Sequence, residues 1–133
     1  PDRPVCLITG DGAFGFHPME LETAARENLP LVVVVAVDDA WGMEKTAYVA
    51  SGHTASDWAR RAIDPAPVAY DDLARSLGCH GERVERIEDL EPALARATAA
   101  RRPAVLHVRV DPELNTKPPG WEQFRKMRSV PAY

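Results

Sequence analysis

The sequence has no long hydrophobic run and no basic stripe, and these absences exclude two classes of protein. A membrane-spanning helix needs about 20 consecutive apolar residues, and no stretch of this chain approaches that length. The 16 lysines and arginines are scattered among 20 acidic residues, which leaves a formal net charge of −4. Domains that bind nucleic acid usually concentrate basic residues on one face. We therefore expect neither a membrane nor a nucleic acid as a partner.

Cysteine is scarce, and internal repeats and low-complexity linkers are absent. The only cysteines, Cys6 and Cys79, lie far apart in the sequence. Because Cys6 falls in an apolar run, we expect it to be a small buried core residue. Two distant cysteines and first residues without a signal-peptide pattern favour a reducing compartment, and we predict the cytoplasm. With 133 residues, of which 45% are hydrophobic, the chain is long enough for one globular domain.

What the sequence does contain is a strand–turn–helix–strand pattern within residues 4–45. The runs Val5–Thr9 and Leu31–Val37 are short, rich in β-branched residues and bounded by turn residues, which is typical of strands buried on both faces. Between them, Pro18 suits the first turn of a helix and Asn28 suits its end. The apolar face of this helix would be formed by Met19, Leu21, Ala24 and Ala25.

Oxygen-bearing residues follow both predicted strands. Asp11 comes directly after the first strand, and Asp38 follows the second. The carboxyl ends of neighbouring parallel strands meet at one edge of an open sheet, and ligands of such sheets bind there. Two carboxylates and a main-chain carbonyl, such as that of Ala40, are hard oxygen ligands of the kind that Mg²⁺ prefers. The sequence therefore predicts a metal–diphosphate site at this edge.

The turn around Asp11 also suits a phosphate group. Gly10 and Gly12 allow positive φ and a close approach of a ligand to the backbone. The N–H groups of Ala13 and Phe14, which follow the turn, could face an anion. We predict that these four residues contact the diphosphate.

The rest of the chain continues the alternation of helices and strands. Helical spacing begins at Tyr70 and Gly78 closes that helix, a short strand covers Glu82–Glu85, and a second helix starts near Ile87. The last strand, Ala104–Val110, alternates only partly, and we place it nearer an edge of the sheet. The whole pattern predicts an α/β fold: a three-layer, doubly wound, mostly parallel sheet with helices on both faces.

The motif at residues 10–12, joined at the proper spacing to Asp38 across a strand–helix–strand unit, resembles a known domain. It is similar to the diphosphate-binding domain of thiamine diphosphate-dependent enzymes, in the branch of acetolactate synthase, pyruvate decarboxylase and 2-hydroxyacyl-CoA lyase. The resemblance extends to about Pro112. It implies that Asp11, Asp38 and the carbonyl of Ala40 hold Mg²⁺ on the diphosphate of thiamine diphosphate.

The resemblance also places residues 41–44 beside the cofactor. It implies a catalytic role for Glu44, which would relay protons near the thiazolium ring; a solvated residue at a helix start is the alternative. Trp41 and Met43 would line the pocket or else serve only in packing. The complete cofactor-binding set implied by the resemblance is Gly10, Asp11, Gly12, Ala13, Phe14, Asp38, Trp41, Gly42 and Met43.

One departure from the family pattern concerns the second loop. Val37 and Asp38 stand where the family has two asparagines, so Asp38 keeps an oxygen ligand but adds a negative charge beside an anionic diphosphate. A metal ion between the two would compensate that charge. We therefore predict unusually metal-dependent cofactor binding. A register shifted by one residue, with Asp39 and Trp41 as the second and third ligands, remains an alternative.

The resemblance carries expectations about domains and partners. Residues 1–112 would form a cofactor-binding domain that lacks its N-terminal portion, and residues 113–133 would be a tail that packs on this domain or on a neighbouring subunit. The glutamate that activates the cofactor would lie on a pyrimidine-binding domain, usually from a neighbouring subunit, so a homo-oligomer is expected. The substrate would be a 2-oxo acid, an aldehyde or an acyl-CoA, and the reaction would cleave or form a C–C bond next to a carbonyl. This chain alone would be inactive.

Two other readings of the same residues stay open. A non-catalytic cofactor-binding or structural module would keep the fold and has its best support in Val37 and Asp38. An unrelated nucleotide-binding domain would need a glycine-rich GxGxxG turn, which Gly10, Gly12 and Gly15 fit only loosely.

Overall fold

The protein is represented by a computed structural model that describes residues 3–50, 61–112, 120, 122–123 and 126. One sheet of four parallel strands forms its centre, in the spatial order β1-β2-β4-β3. The strands are β1 (Val5–Gly10), β2 (Leu31–Val37), β3 (His80–Val84) and β4 (Ala104–Arg109). The helices are α1 (Asp11–Phe14), α2 (Glu20–Arg26), α3 (Gly42–Ala50), α4 (Tyr70–Ser76) and α5 (Leu90–Ala99), with a 3₁₀ turn at Ile87–Asp89.

Apolar side chains on both faces of β2 join the sheet to helices on either side. Val33, Val35 and Val37 pack in one core cluster with residues of α2 and α4. Val32 and Val34 belong to a second cluster with residues of α5. Since successive side chains of a strand point to opposite faces, the run Leu31–Val37 is buried from both sides. The predicted three-layer, doubly wound α/β fold is confirmed.

Strand β4 is central, so its predicted position near an edge is wrong. It pairs with β2 on one side and with β3 on the other. Ala104, Val105 and Leu106 are fully buried. The partial alternation of its sequence comes from His107, which is buried, and Arg109, which is partly exposed and pairs with Asp39.

Strand β1 is the exposed one, contrary to the expectation of burial on both faces. Val5, Leu7 and Ile8 are 55%, 51% and 75% exposed, and Cys6 is exposed as well. Strand β1 pairs only with β2, and none of its residues belongs to either core cluster, so no described helix buries its faces. A β-branched run indicates a strand, but it does not show what covers that strand.

The first long helix starts two residues later than predicted. A series of turns precedes α2, in which Glu20 N–H donates to His17 O and Leu21 N–H donates to Pro18 O. Met19 is 60% exposed and does not join the buried face, which Leu21 and Ala24 form. The helix ends as expected near Asn28, which takes a left-handed conformation with φ of 51°.

The second half of the chain follows the predicted order of elements. Gly78 has φ of +82° and ends α4, and β3 begins at His80, two residues before the predicted start. Helix α4 lies so close to β3 that a Cβ on Gly81 would stand 2.0 Å from the carbonyl oxygen of Asp71. None of the helices in the described ranges is both long and apolar enough to span a bilayer. The predicted packing of the tail lies outside the described residues.

Candidate functional site

A cleft of about 470 Å³ opens where β1 and β2 end. It lies at the carboxyl edge of the sheet, between the turn that leads into α1 and the loop that leads into α3. The structure brings together there every candidate residue except Phe14 and Asp39, the alternative second ligand. Its lining residues are Gly10, Asp11, Gly12, Ala13, Phe16, Ala36, Asp38, Ala40, Trp41, Gly42, Met43, Glu44 and Val110.

Asp11 is fixed at the base of this cleft by hydrogen bonds from two loops. It is 4% exposed and forms the first residue of α1. The N–H of Gly12 donates to its Oδ1 at 2.8 Å, and the N–H of Asp39 donates to its Oδ2 at 2.9 Å. The hydroxyl of Tyr70 donates to its main-chain oxygen at 3.3 Å. These bonds tie the α1 turn, the loop after β2 and helix α4 to one residue.

Asp38 lies beside Asp11 and places a second carboxyl in the cleft. Its Oδ1 accepts a hydrogen bond from the N–H of Ala40 at 3.1 Å. Burial raises the pKa of Asp11, and the adjacent Asp38 raises that pKa further, against the lowering effect of the N–H groups of Gly12 and Asp39. Two close carboxyls in a partly buried site repel each other, so a cation between them would relieve the repulsion.

Neither Gly10 nor Gly12 has the positive φ that we expected. These glycines matter because they carry no side chain. Gly10 has φ of −80° in an extended conformation, and Gly12 lies within the helical turn of α1. A Cβ on Gly12 would stand 3.1 Å from Cδ1 of Trp41 and 3.6 Å from the carbonyl oxygen of Ala40. Gly12 therefore lets the two loops approach closely. A Cβ on Gly10 would have no neighbour within 4 Å.

The two backbone donors predicted after the turn differ in their placement. Ala13 lies in the first turn of α1 and lines the cleft. The ring of Phe14 instead meets the ring of Tyr70 edge-on, with centroids 5.3 Å apart, and packs against the core. The carbonyl at a helix N-cap accepts the first internal helical bond, and Gly10 is that cap. The N–H of Phe14 is thus used in that bond within the helical turn.

The carboxylate of Asp39 points away from the cleft. This disfavours the register in which Asp39 and Trp41 would be the second and third ligands. The backbone of Asp39 is left-handed, with φ of 53°, and its carboxylate pairs with the guanidinium of Arg109. Only its N–H reaches Asp11. The geometry thus places the carboxylate of Asp38, and not that of Asp39, with Asp11.

The segment after the second loop forms one wall of the cleft. The N–H of Trp41 donates to the carbonyl of Ile63 at 2.8 Å, and its ring lies 5.6 Å from the ring of Phe16. Met43 and Glu44, in the first turn of α3, are exposed at the mouth. Burial of the Glu44 carboxyl would thus need cover from outside the described residues.

Sequence reasoning missed several residues of the site. Phe16 and Val110 line the cleft, and Tyr70 supports Asp11 from α4. Val110 directly follows β4, so a correct strand order would have placed it at the same edge of the sheet as Asp38. No signal in the sequence pointed to Tyr70, because its contact depends on how α4 docks.

Comparison with known protein families identifies this arrangement. The family model described as "Thiamine pyrophosphate enzyme, C-terminal TPP binding domain" matches residues 1–108 of the 133. The chain belongs to this family. Thiamine pyrophosphate is the same compound as thiamine diphosphate, so the family is the one that the motif at residues 10–12 and Asp38 resembles.

Named relatives in other organisms are similar to this chain over most of its length. The acetolactate synthase large subunit IlvG of Mycobacterium tuberculosis is 41% identical over 115 residues, which cover 86% of this chain and 20% of that protein. The 2-hydroxyacyl-CoA lyase of Oryza sativa subsp. japonica is 36% identical over 114 residues, which cover 84% of this chain and 20% of that protein. This chain thus spans about a fifth of the length of these relatives.

Solved structures show the same fold. Benzoylformate decarboxylase from Polynucleobacter necessarius superimposes with a TM-score of 0.76 at 20% sequence identity, over 85% of this chain and 20% of that chain. A 4-hydroxybenzoylformate decarboxylase from Rhodococcus jostii gives a TM-score of 0.70 at 24% identity, over 84% and 20%. The fold of this thiamine pyrophosphate enzyme domain is therefore that of known decarboxylases.

The residues in the cleft fit a metal–diphosphate of the thiamine pyrophosphate enzyme family. The carboxyls of Asp11 and Asp38 are adjacent, and the carbonyl oxygen of Ala40 faces the turn at Gly12. The described part of the chain contains no group of three His, Cys, Asp or Glu side chains suited to a metal. A cation here would therefore take its remaining ligands from carbonyl, phosphate and water oxygens, as Mg²⁺ commonly does.

Proposed function

We propose that this chain binds Mg²⁺ and thiamine diphosphate in the cleft between β1 and β2, as part of an enzyme that cleaves or forms a C–C bond next to a carbonyl. The observation that carries the proposal is the pairing of Asp11 and Asp38 at the carboxyl edge of the sheet in a member of this family. Because the chain spans a fifth of its relatives, the activity belongs to the whole protein.

The metal ligands in this proposal are the carboxylates of Asp11 and Asp38 and the carbonyl of Ala40. The N–H groups of Gly12 and Asp39 hold the carboxylate of Asp11 in one orientation, so little side-chain freedom is lost when it binds a cation. Asp38 is held in the same way by the N–H of Ala40. The site is thus preorganised for an ion before the diphosphate arrives.

The chain's part in binding the organic cofactor follows from the lining of the cleft. Gly10, Gly12 and Ala13 present backbone without bulky side chains where the diphosphate would lie. Trp41 and Met43 supply an apolar wall beside the remainder of the cofactor. The bound cofactor would supply carbanion stabilisation, and this domain would anchor and orient it.

The proposal includes a partner domain that closes the mouth of the cleft. Phe16 and Met43 lie at the mouth and are 64% and 68% exposed, and such apolar surface favours cover by another domain. A pyrimidine-binding domain from a neighbouring subunit of a homo-oligomer would cover it and supply the activating glutamate. Under that cover Glu44 would relay protons to and from the substrate.

The substrate class is proposed from the names of the relatives. They include an acetolactate synthase, a 2-hydroxyacyl-CoA lyase and a sulfoacetaldehyde acetyltransferase. A 2-oxo acid, an aldehyde or an acyl-CoA is therefore the expected substrate, with the cytoplasm as the expected compartment.

A second candidate function is a non-catalytic module that keeps the fold. The observation in its favour is Val37, which is fully buried and places no polar side chain at the end of β2, together with the extra negative charge of Asp38. This candidate predicts that the full protein binds no thiamine diphosphate at millimolar concentration.

Calorimetry of the full protein with thiamine diphosphate, in Mg²⁺ and in a chelator, tests the proposal. We expect binding in Mg²⁺ and a loss of at least about tenfold in affinity in the chelator, since two carboxylates would then face the diphosphate. Asp38→Asn removes one negative charge without changing the size of the side chain. It should therefore reduce the difference in affinity between the Mg²⁺ and chelator conditions. Equal affinity under both conditions, or binding of NAD in preference to thiamine diphosphate, would contradict the proposal.

A further inference from the structure

Arg109 is a charged residue that lies near the proposed metal site without lining it. It is the last residue of β4, and its backbone pairs in register with Val37 at the end of β2. The N–H of Val110 donates to the carbonyl of Val37 at 3.1 Å, which extends this pairing by one bond. Arg109 is not one of the described residues that line the cleft. The backbone of Arg109 is thus fixed in the sheet, beside the loop that starts at Asp38.

The guanidinium of Arg109 holds the side chain of Asp39. The two groups form a hydrogen-bonded ion pair, and their side chains are only 36% and 27% exposed. Hydrogen bonds between arginine and a carboxylate are directional as well as strong, because the donor fork of the guanidinium is planar. Since the backbone of Arg109 is held in the sheet, this ion pair restricts where the side chain of Asp39 can lie.

Asp39 in turn orients Asp11 through its backbone. Its φ of 53° is uncommon for a residue other than glycine, although Asp and Asn adopt it more readily than most. In this conformation its N–H donates to Oδ2 of Asp11 at 2.9 Å, while the N–H of Gly12 donates to Oδ1. One of the two hydrogen bonds that orient the carboxylate of Asp11 therefore comes from a loop residue in a strained conformation, which the ion pair with Arg109 stabilises.

We propose that Arg109 is a positioning residue for the metal site. Its ion pair keeps the backbone of Asp39 left-handed, and the N–H of Asp39 then keeps the carboxylate of Asp11 in the orientation that binds the cation. This inference rests on the function proposed above, because it takes Asp11 as a ligand of Mg²⁺. Without the ion pair, a smaller fraction of the molecules would hold Asp11 in that orientation, and the apparent affinity for Mg²⁺ would fall by the same factor.

A direct attraction between the charge of Arg109 and the anionic diphosphate would give a different pattern in two variants of Asp39. Asp39→Ala and Asp39→Asn remove the same negative charge. Asn adopts positive φ readily and can still accept a hydrogen bond from Arg109, whereas Ala does neither. Positioning therefore predicts that Asp39→Ala binds Mg²⁺–thiamine diphosphate about threefold or more weakly than Asp39→Asn. A pure charge effect predicts equal affinity for the two variants.

The test is calorimetry of the full protein with thiamine diphosphate at several Mg²⁺ concentrations. We expect Arg109→Gln to raise the Mg²⁺ concentration for half-maximal binding by about threefold or more, since a partly exposed ion pair is lost. Arg96→Gln is the matched control, because it breaks a partly exposed ion pair with Glu82 of β3, away from the cleft, and it should leave that concentration unchanged. Equal effects of Arg109→Gln and Arg96→Gln, or equal affinity of the two Asp39 variants, would overturn the proposal.

Hydrogen exchange in the full protein without ligand separates this inference from the proposed function. The amide of Asp39 should exchange about threefold or more faster in Arg109→Gln than in the unsubstituted protein, and Arg96→Gln should not change its rate. Unchanged exchange in Arg109→Gln, in a protein that binds the cofactor, would overturn the role of Arg109 and leave the proposed function standing. Faster exchange in a protein that binds no thiamine diphosphate would contradict the proposed function and still support the hold of Arg109 on the N–H of Asp39.

Discussion

Asp11 accepts hydrogen bonds from backbone N–H groups that belong to two different loops, those of Gly12 and Asp39. The left-handed backbone of Asp39 turns its N–H toward Asp11 while its carboxylate meets Arg109. Asp39, in this uncommon conformation, therefore connects the loop after β2 to the turn that carries Asp11. The sequence identified Asp11 and Asp38 through their spacing, but it could not show which way Asp39 points, because that depends on Arg109 in β4.

The substitution Gly10→Ala tests whether the cofactor lies against Gly10, because it should change the affinity for the cofactor without weakening the fold. The backbone of Gly10 is extended, and a Cβ there meets nothing within 4 Å. We expect the free energy of unfolding to stay within about 1 kcal/mol of that of the unsubstituted protein or to rise slightly. The new methyl group would occupy the cleft, so the affinity for Mg²⁺–thiamine diphosphate should fall. Thermal unfolding and calorimetry measure the two effects, and an unchanged affinity would show that the diphosphate does not lie against Gly10.

At the scale of elements, a buried carboxylate fixes helix α4 to the sheet. Asp71 is 5% exposed. It accepts a hydrogen bond from Arg75 at 2.9 Å and lies 3.5 Å from Arg83 of β3. Burial alone would raise the pKa of Asp71, but the hydrogen bond from Arg75 and the charge of Arg83 outweigh it and lower that pKa. The charged form of Asp71 therefore stabilises the docking of α4.

Asp71→Asn should lower the free energy of unfolding by about 1–2 kcal/mol near neutral pH. A carboxyl whose folded pKa is lowered contributes stability above its unfolded pKa of about 3.9 and loses that contribution as pH falls through the folded pKa. The difference in unfolding free energy between the unsubstituted protein and Asp71→Asn should thus be largest at neutral pH and decrease below about pH 4. Denaturant unfolding at several pH values measures it.

Asp72→Asn serves as the control for that experiment. Asp72 pairs with the same Arg75, but its side chain is 71% exposed. Exposed ion pairs contribute little, so this substitution should change stability by less than about 0.5 kcal/mol. An equal effect of the two substitutions would contradict the role assigned to Asp71.

The elements of this fold were predictable from the sequence to different degrees. The run Leu31–Val37 predicted its strand correctly, because a continuous β-branched segment suits a position with helices on both sides. The same pattern in β1 predicted burial wrongly, since Val5, Leu7 and Ile8 lie outside both core clusters and are exposed. Local pattern specifies an element, whereas strand order and cover depend on distant segments.

At the scale of the whole molecule, parallel topology is what brings the proposed site together. The turn after β1 and the loop after β2 are separated by helix α2, yet the register of the two strands ends both at the same edge. A crossover between parallel neighbours of this kind places the ends of the two strands side by side. The family membership and the geometry of the cleft both support the proposal that a metal–diphosphate binds at this edge.

The central claim is that Asp11 and Asp38 hold one and the same cation, and a double-mutant cycle tests it most directly. The measured quantity is the Mg²⁺-dependent affinity of the full protein for thiamine diphosphate, with Asp11→Asn, Asp38→Ala and both together. If the two carboxylates share an ion, the second substitution should add little to the first, with a coupling energy of at least about 1 kcal/mol. Losses that add within about 0.5 kcal/mol would show that the two residues act independently and would contradict the account.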